Sequence, residues 1–262
     1  NNKAISVYLA LLEHVKDRVK KEELLELLGN TYFKGGFLQR SNDIFLRILK
    51  FSPRNKNALK SLLLVNEKLK NFKKSKEIAQ ALEELNIDVS VEKVYFDTLI
   101  ILNDPILSYE KRTELLFEIF KENKIIQRIF ATFLIQSNRE FFFSNIDMFD
   151  CEKLIDILWY QKKEDIDFDK IKNNQFLNEL YSAKNYINSV STSSDFDLNI
   201  LILINKYQKD IKTNLTFEFI CNSCKHSSPF YEARCPNCHS ILSLEVKHHL
   251  TKAYELSNQS LQ

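Results

Sequence analysis

Four cysteines near the end of the chain have the spacing of a metal site. Two Cys-x-x-Cys pairs are separated by ten residues, and the residues in question are Cys221, Cys224, Cys235 and Cys238. Four thiolates in this order can surround one tetrahedral ion, with each pair forming a short turn. A single Cys-x-x-Cys could instead be a redox dithiol, but two equivalent pairs favour metal capture. The sequence therefore predicts one bound ion with four sulfur ligands.

The identity of this ion stays open between zinc and iron, since tetrahedral sulfur coordination suits both. Zinc is favoured as a structural ion, because four protein ligands leave no open position at which water could be activated. In rubredoxin-like turns a glycine commonly follows each second cysteine, whereas Lys225 and His239 occupy those positions here. A side chain enters such a turn only at a strain cost, so we expect looser turns than in an electron carrier.

Other candidate groups favour structural roles. We expect His226, His239, His248 and His249 to lie outside the ligand shell, because four thiolates complete it. The acidic segment 164–170 predicts a connection and a helix start rather than acid/base catalysis, since no serine nucleophile or glycine-rich loop accompanies it. The aromatic run at 141–145 and Cys151 are predicted to be buried. The chain is not expected to be an enzyme.

Composition indicates a soluble, helical protein. Of 262 residues, 44% are hydrophobic and 27% are charged, which is typical of globular domains. Three glycines and four prolines are too few for the many tight turns of a sheet-rich fold. The net charge of +2 argues against nucleic acid as a partner. No segment approaches the roughly 18 apolar residues that a membrane span needs.

The three glycines lie within LLGNTYFKGGF, residues 27 to 37, where a helical repeat is recognisable. Tetratricopeptide repeats have a period of about 34 residues with characteristic small and aromatic positions. The matching positions here are Leu28, Gly29, Tyr32, Gly36, Ser41, Phe45 and Pro53. Gly29 and Ser41 are expected to let two antiparallel helices approach closely, while Tyr32 and Phe45 fill the space between repeats.

Weaker copies precede and follow this repeat. A second copy begins near Lys56 and contains Leu62, Asn66, Phe72, Ser75, Ala79 and Leu82. The segment around Ala4, Tyr8 and Leu11 resembles the second helix of a truncated repeat. Beyond residue 86, apolar spacings of three and four predict further helices. Their expected ranges are 92–103, 109–122, 125–138, 150–162, 173–190 and 196–210.

The predicted fold class is all-α, a tetratricopeptide-type helical solenoid with a small C-terminal rubredoxin-like zinc ribbon. Its expected parts are tetratricopeptide repeats at 1–85, divergent helical repeats at 86–215, the four-cysteine ribbon at 216–248 and a tail at 249–262. Solenoids bind extended peptides or partner helices on one free face. The candidate groove residues on that face are Glu23, Glu26, Asn30, Phe33, Lys34, Asn57, Lys60, Leu64, Glu67 and Lys68.

This combination of repeats with CNSC and CPNC turns resembles the lipopolysaccharide assembly protein B (LapB) family. The likeness rests on KAISVYLALLEH, on LLGNTYFKGGFLQRSNDIFLRILKFSPRN and on FICNSCKHSSPFYEARCPNC. The related flagellar stator chaperones (FlgX) have a similar plan, and the motifs do not separate the two. The resemblance implies a cytoplasmic repeat domain tethered to the inner membrane by a helix that would precede Asn1.

The resemblance also implies a function. Its members are adaptors or chaperones that bind membrane-protein partners and control their stability toward the membrane protease FtsH. Self-association into a homo-oligomer is left open. Two other functions remain as alternatives, an iron-containing electron-transfer protein and a zinc-ribbon module that binds nucleic acid.

Overall fold

A computed structural model describes residues 2–208 and 213–252 of the chain. The described chain is mostly helical, and a small antiparallel sheet follows the last helix. It divides into two compact units, Asn1–Leu115 and Leu116–Gln262, which we call unit 1 and unit 2. In the described ranges, every helix is too short or too polar to cross a bilayer.

Unit 1 is built from consecutive helices that pack on their neighbours. The helices are α1 (Asn2–His14), α2 (Arg18–Lys34), α3 (Leu38–Phe51), α4 (Lys56–Lys68), α5 (Phe72–Glu83), α6 (Ser90–Leu102) and the start of α7 (Tyr109–Glu122). From α1 to α6 each helix contacts the next, and α2 also contacts α4. Short connections between packed neighbours make these helices antiparallel.

Local geometry in unit 1 repeats at an interval of 34 residues. The Ser41 hydroxyl donates to the carbonyl of Gly29 at 2.8 Å, and the Ser75 hydroxyl donates to that of Leu63 at 3.5 Å. The turns after α2 and α4 each contain one residue of positive φ, Gly36 at 77° and Lys70 at 60°. The repeated spacing predicted from the sequence is therefore present in the backbone and not only in residue types.

The close approach of α2 and α3 at Gly29 explains why a glycine stands there. A Cβ atom at this position would lie 2.8 Å from the Phe45 ring, closer than real contacts allow. In the second pair, Asn66 stands where the first has Tyr32. Its Nδ2 donates to Asn42 Oδ1 at 3.1 Å, so a buried polar contact takes the place of an aromatic one.

Unit 2 has shorter and less regular helices. After α7 these are α8 (Gln127–Ser137), α9 (Arg139–Ser144), α10 (Ile155–Trp159), α11 (Phe168–Ile171), α12 (Gln175–Ala183) and α13 (Phe196–Tyr207). Four 3-10 turns interrupt them, at Lys124–Ile126, Ile146–Met148, Glu152–Leu154 and Lys163–Asp165.

Two predicted helices of unit 2 are too long. The segment 150–162 contains a 3-10 turn and only five α-helical residues, and the segment 173–190 stops being helical at Ala183. Asn185 adopts a positive φ of 58° directly after that helix, and its Tyr186 neighbour donates back to the Tyr181 carbonyl at 2.9 Å. This closing turn satisfies the last carbonyls of α12 and ends it.

An aromatic cluster forms much of the core of unit 2. Phe120 stacks on Phe149 with ring centroids 4.5 Å apart, and Phe142 lies 5.1 Å from the same ring. Phe142 and Phe143 are buried and Phe141 is half-buried, so the prediction for the aromatic run is confirmed for two of its three rings. Cys151 is buried as predicted, and burial raises the pKa of its thiol to about 12.

The acidic segment of unit 2 takes the structural role predicted for it. The Asp167 side chain accepts a hydrogen bond from the Lys170 N–H at the start of α11, and Asp165 pairs with Arg139. Asp167 is therefore an N-terminal cap, a common role for aspartate, and Asp165 links its segment to Arg139 on α9.

Three antiparallel strands follow α13 in the order β2-β1-β3. They are β1 (Thr213–Cys221), β2 (Ser227–Ser228) and β3 (Leu244–Lys252). The long strands β1 and β3 pair along their whole length, so that Thr213 lies opposite Lys252 and Cys221 opposite Leu244. The first four residues of the predicted tail, 249–252, therefore belong to a strand, and 253–262 lie outside the described residues. We call residues 213–252 the cysteine module.

Candidate metal centre

Both Cys-x-x-Cys pairs fold into the same turn. In the first turn, the Lys225 N–H donates to the Cys221 carbonyl at 2.8 Å, and the Cys221 N–H donates to the His226 carbonyl at 2.9 Å. In the second, the His239 N–H donates to the Cys235 carbonyl at 3.0 Å, and the Cys235 N–H donates to Ser240 at 2.9 Å. Lys225 and His239 have φ values of 61° and 63°. The turns are thus regular without glycine, contrary to the expectation of a looser geometry.

The four sulfur atoms meet at one place. Cys221 and Cys238 Sγ are 3.6 Å apart, Cys224 and Cys235 Sγ are 3.7 Å apart, and all four lie within 4.8 Å of one another. Metal–sulfur bonds of about 2.3 Å in a tetrahedron place sulfur atoms about 3.8 Å apart. None of the four cysteines is in a disulfide. The cysteines are therefore positioned to bind one metal ion, as the sequence predicts.

Hydrogen bonds to sulfur favour the thiolate form of Cys221 and Cys238. Burial raises the pKa of the Cys221 thiol, but hydrogen bonds from the Ser243 hydroxyl and from the N–H groups of Cys224 and Ser223 outweigh it and lower the pKa to about 6. A hydrogen bond with the Ser240 hydroxyl lowers the pKa of Cys238. Such donors stabilise negative charge on sulfur, which is the form that binds a metal.

Cys235 differs, because burial raises the pKa of its thiol to about 11. A protonated thiol does not bind a metal ion, so ion capture at neutral pH must release the proton of Cys235. Cys221 and Cys235 are buried among Phe219 and Leu244, whereas Cys238 is exposed. One ligand thus lies at the surface while the others anchor the small core of the module.

The histidines near the cluster lie outside it. His248 Nε2 is 3.1 Å from Asp195 Oδ2 at the start of α13, and His249 Nε2 is 3.0 Å from Glu218. His226 and His239 are exposed. Among the described residues, the only group of three or more ligand-type side chains with converging atoms is the four-cysteine cluster.

A buried ion pair lies where the cysteine module meets the helices of unit 2. Arg128 on α8 pairs with Asp156 on α10. Only 12% of the Arg128 side chain and 10% of the Asp156 side chain is exposed to solvent. The guanidinium lies 4.1 Å from the ring centroid of Tyr231 and 5.2 Å from that of Phe219, both in the module. Tyr231 belongs to the segment between the two turns, so this contact ties the metal-ligand region to the helices.

Further contacts attach the long strands to the helices. Trp159 Nε1 on α10 donates to Asn214 Oδ1 at 3.0 Å, and Tyr160 packs edge-on against Phe217 with ring centroids 5.7 Å apart. His248 on β3 binds Asp195, which caps α13. The sequence carries no motif for these contacts, because each joins residues far apart in the chain through side chains that are individually ordinary.

The candidate groove residues all lie on α2 and α4. Those that are exposed are Glu23, Asn30, Lys34, Asn57, Lys60 and Lys68, whereas Glu26, Phe33, Leu64 and Glu67 are half-buried. Two of the half-buried acids already have partners inside unit 1. Glu26 accepts a hydrogen bond from Asn55 at 2.9 Å, and Glu67 accepts one from the Tyr95 hydroxyl at 3.2 Å. The exposed members are therefore the ones available to a ligand.

Glycine in place of Lys225 or His239 should stabilise the two Cys-x-x-Cys turns. A side chain in the left-handed region costs roughly 1 kcal/mol per residue relative to glycine. We expect Lys225→Gly and His239→Gly each to raise the stability of the cysteine module by about 0.5 kcal/mol or more, since the unfolded-state entropy of glycine cancels part of the gain. Local amide exchange of the module would measure this.

Lys70 provides a matched comparison, because it has nearly the same φ of 60° in a turn without cysteines. Lys70→Gly should show a similar gain in unit 1. A loss of stability at positions 225 and 239, with a gain at 70, would contradict the assignment of strain to the metal-site turns.

The fold and the site together define a mostly helical protein with a four-cysteine metal site held on a small antiparallel sheet. No known protein-family model matches the chain, and no curated protein sequence matches it either.

Proposed function

We propose that the chain is the cytoplasmic part of an adaptor or chaperone of the LapB type, with a tetratricopeptide solenoid that binds membrane-protein partners. Unit 1 would supply the partner-binding face, and the cysteine module would act as a zinc ribbon that braces the helices beside it. The repeated 34-residue geometry of Ser41 with Gly29 and Ser75 with Leu63 is the observation that carries this proposal.

The arrangement of small and large residues supports the tetratricopeptide assignment. Gly29 and Ser41 lie at the closest approach of α2 and α3, and Phe45 fills the space against the missing Cβ. This is the packing that the small and aromatic positions of such a repeat provide. Stacked repeats leave one face free for ligands, and so favour binding over catalysis.

The geometry of the metal centre supports a structural role. Four sulfur ligands complete a tetrahedral shell and leave no position for a substrate or water. The same region holds Tyr231 against the buried Arg128 of the helices. An ion here would order the segment that makes this contact. When bound, zinc would supply binding free energy for folding the module.

The resemblance supplies the class of partner. We infer that the full protein is tethered to the inner membrane, faces the cytoplasm and controls the stability of membrane proteins toward FtsH, either in lipopolysaccharide assembly or as a flagellar stator chaperone. A homo-oligomer would also fit a repeat protein. The near-neutral net charge of +2 gives no support to nucleic acid as a partner.

Crosslinking and pull-down of the anchored protein from its native membrane would test this function. Asn30→Arg and Lys60→Glu change exposed groove positions, and Arg47→Glu changes an exposed position on α3 as a matched control. We expect the groove variants, but not the control, to lose a specific membrane-protein partner. The lifetime of that partner should depend on both the adaptor and the protease. Equal capture by all variants would refute the groove.

An electron-transfer function with iron is the second candidate, favoured by the exposure of Cys238 beside buried ligands. Surface access to one ligand and N–H donors to sulfur are features that a redox centre can use. Metal analysis with a visible spectrum separates the two functions. Colourless protein with one zinc per chain would exclude electron transfer, and reversible iron colour would exclude the structural zinc.

A further inference from the structure

Lysine side chains crowd the turn between α4 and α5. Residues 68 to 76 read KLKNFKKSK, with five lysines and no acid. Lys76 pairs with Asp97 on α6. Within the part of the chain that the structure describes, the other four lysines form no ion pair with a carboxylate. Four positive charges are therefore left to face solvent or a ligand.

An apolar depression of about 660 Å³ lies beside this turn. Its apolar lining comes from Phe72, Ile100, Pro105 and Ile106, and its basic lining from Lys70, Lys73 and Lys74. Asp104 is the only acid in the lining, and its carboxylate accepts a hydrogen bond from the Ile106 N–H at 2.9 Å. The depression thus combines an apolar floor with a basic rim.

Ile106 protrudes from the loop between α6 and α7. It is 90% exposed, more than any other large hydrophobic side chain in the described ranges. The loop around it is held in place, because Asp104 binds the Ile106 N–H and the Arg112 guanidinium binds the Asp104 carbonyl. A single exposed isoleucine is common on protein surfaces, but this one continues the apolar lining of the depression beside the lysines.

Further basic residues lie at the same end of unit 1 as the α4–α5 turn. Because neighbouring helices are antiparallel, alternate connections lie at the same end of unit 1. The α2–α3 turn, the α4–α5 turn and the α6–α7 loop therefore lie at one end. The α2–α3 turn adds exposed Lys34 and Arg40 and the exposed ring of Phe37. At the opposite end, exposed basic residues such as Lys50 and Lys56 are accompanied by exposed acids, among them Glu84 and Asp88.

We propose that this end of unit 1 docks on the surface of an anionic lipid bilayer. We call it the lysine edge, and it consists of Lys68, Lys70, Lys73, Lys74 and Ile106. The lysines reach the headgroup phosphates, and Ile106 enters the boundary between headgroups and acyl chains, as in other proteins that bind membrane surfaces through an apolar tip ringed by basic residues.

The chemistry of the lysine edge favours a bilayer over an acidic protein partner. A stable protein interface needs a contiguous apolar core that excludes water. Around Ile106 the exposed apolar side chains are few, and the charged residues that line the depression are three lysines and one aspartate. Lysine ammonium groups stay hydrated at a membrane interface. The lysine edge belongs to unit 1, whereas the metal centre belongs to unit 2. Of the groove positions on α2 and α4 it includes only Lys68, and its docking goes beyond the adaptor function.

Vesicle co-sedimentation of the chain tests this docking. We expect binding to vesicles of phosphatidylglycerol mixed with phosphatidylcholine, no binding to phosphatidylcholine alone, and loss of binding as ionic strength rises. Lys70→Gln with Lys73→Gln should weaken binding about 30-fold, at about fivefold per lysine near an anionic surface. Ile106→Ser should weaken it roughly tenfold, since it removes the inserted side chain.

A double variant at the opposite end is the matched control. Lys50→Gln with Lys56→Gln removes the same charge from exposed positions at the end of α3 and the start of α4, and should leave vesicle binding unchanged. Equal weakening by both double variants would overturn the lysine edge. Absence of binding to anionic vesicles at low salt would overturn it too, as would binding of soluble polyglutamate in preference to the vesicles. Inorganic phosphate, added at the same total negative charge as the vesicle lipids, should fail to displace the protein from the vesicles.

Discussion

Substitution of Cys235 by serine should abolish metal binding and unfold the cysteine module while the helices remain folded. Cys235 is fully buried, is positioned to bind the ion and forms part of a small core with Phe219 and Leu244. A core of this size cannot fold a module by itself, and structural zinc supplies an apparent 10 kcal/mol or more in comparable sites. Metal content and amide exchange over 213–252 would measure the effect, and a chelator should reproduce it.

Cys151→Ala is the control for this substitution. Cys151 is also buried but belongs to the core of unit 2 rather than to the cluster. We expect it to keep one ion per chain and to lower stability by roughly 1 to 2 kcal/mol, as the loss of a small buried side chain does. A Cys235→Ser protein with unchanged exchange in the module would show that the ion has no structural role.

The pH dependence of metal binding has a definite sign. Burial raises the pKa of Cys235 to about 11, so the metal-free thiol is protonated at neutral pH. Ion capture releases this proton, and acid therefore competes with the metal. Affinity for the ion should fall as pH falls, and protons should be released into buffer when zinc is added. Metal titrations in weakly buffered solution would detect the protons.

The sequence predicts the convergence of the four cysteines and the helical character of unit 1 for the same physical reason. Both depend on short-range spacing, with ligand pairs three residues apart in the turns and close contacts repeated every 34 residues in the helices. Local spacing of this kind is readable without knowledge of distant contacts. Gly29, Ser41 and Phe45 therefore reveal their contact through residue type alone.

Unit 2 is harder to predict from sequence, because its helix ends depend on tertiary contacts. The apolar spacing across 150–162 and 173–190 is helical, yet the first segment begins with a 3-10 turn at Glu152–Leu154, and Asn185 turns the chain at positive φ in the second. The sequence does not indicate the strand residues 249–252, because HLTK has no turn or alternation that marks a strand end. Pairing with Thr213–Thr216 defines that end instead.

The second large effect should follow from loss of the buried ion pair between Arg128 and Asp156. Asp156→Ala leaves the guanidinium of Arg128 without its carboxylate in a place where both side chains are nearly inaccessible. Removing one partner of a buried pair costs about 3 to 5 kcal/mol, because the remaining charge is desolvated and uncompensated. We expect a loss of that size in unit 2, measured by denaturant unfolding.

Trp159 reports the structural consequence directly. It is the only tryptophan in the chain, and its indole donates to Asn214 of the cysteine module. If the ion pair holds the module on the helices through Tyr231 and Phe219, Asp156→Ala should red-shift the Trp159 fluorescence at denaturant concentrations where the helices persist. Metal content should stay at one ion per chain, since the ligands are untouched.

Two comparisons isolate the cause. Asp165→Ala removes the partner of Arg139 in a more exposed pair, and should cost less than about 1 kcal/mol. The double variant Arg128→Met with Asp156→Leu removes both charges together, and should recover most of the stability lost in Asp156→Ala. It still lacks the guanidinium that stacks on Tyr231, so any remaining shift of Trp159 fluorescence measures the contribution of that stacking to docking. A double variant as unstable as Asp156→Ala would instead show that the side chains matter for their shape and not for their charge.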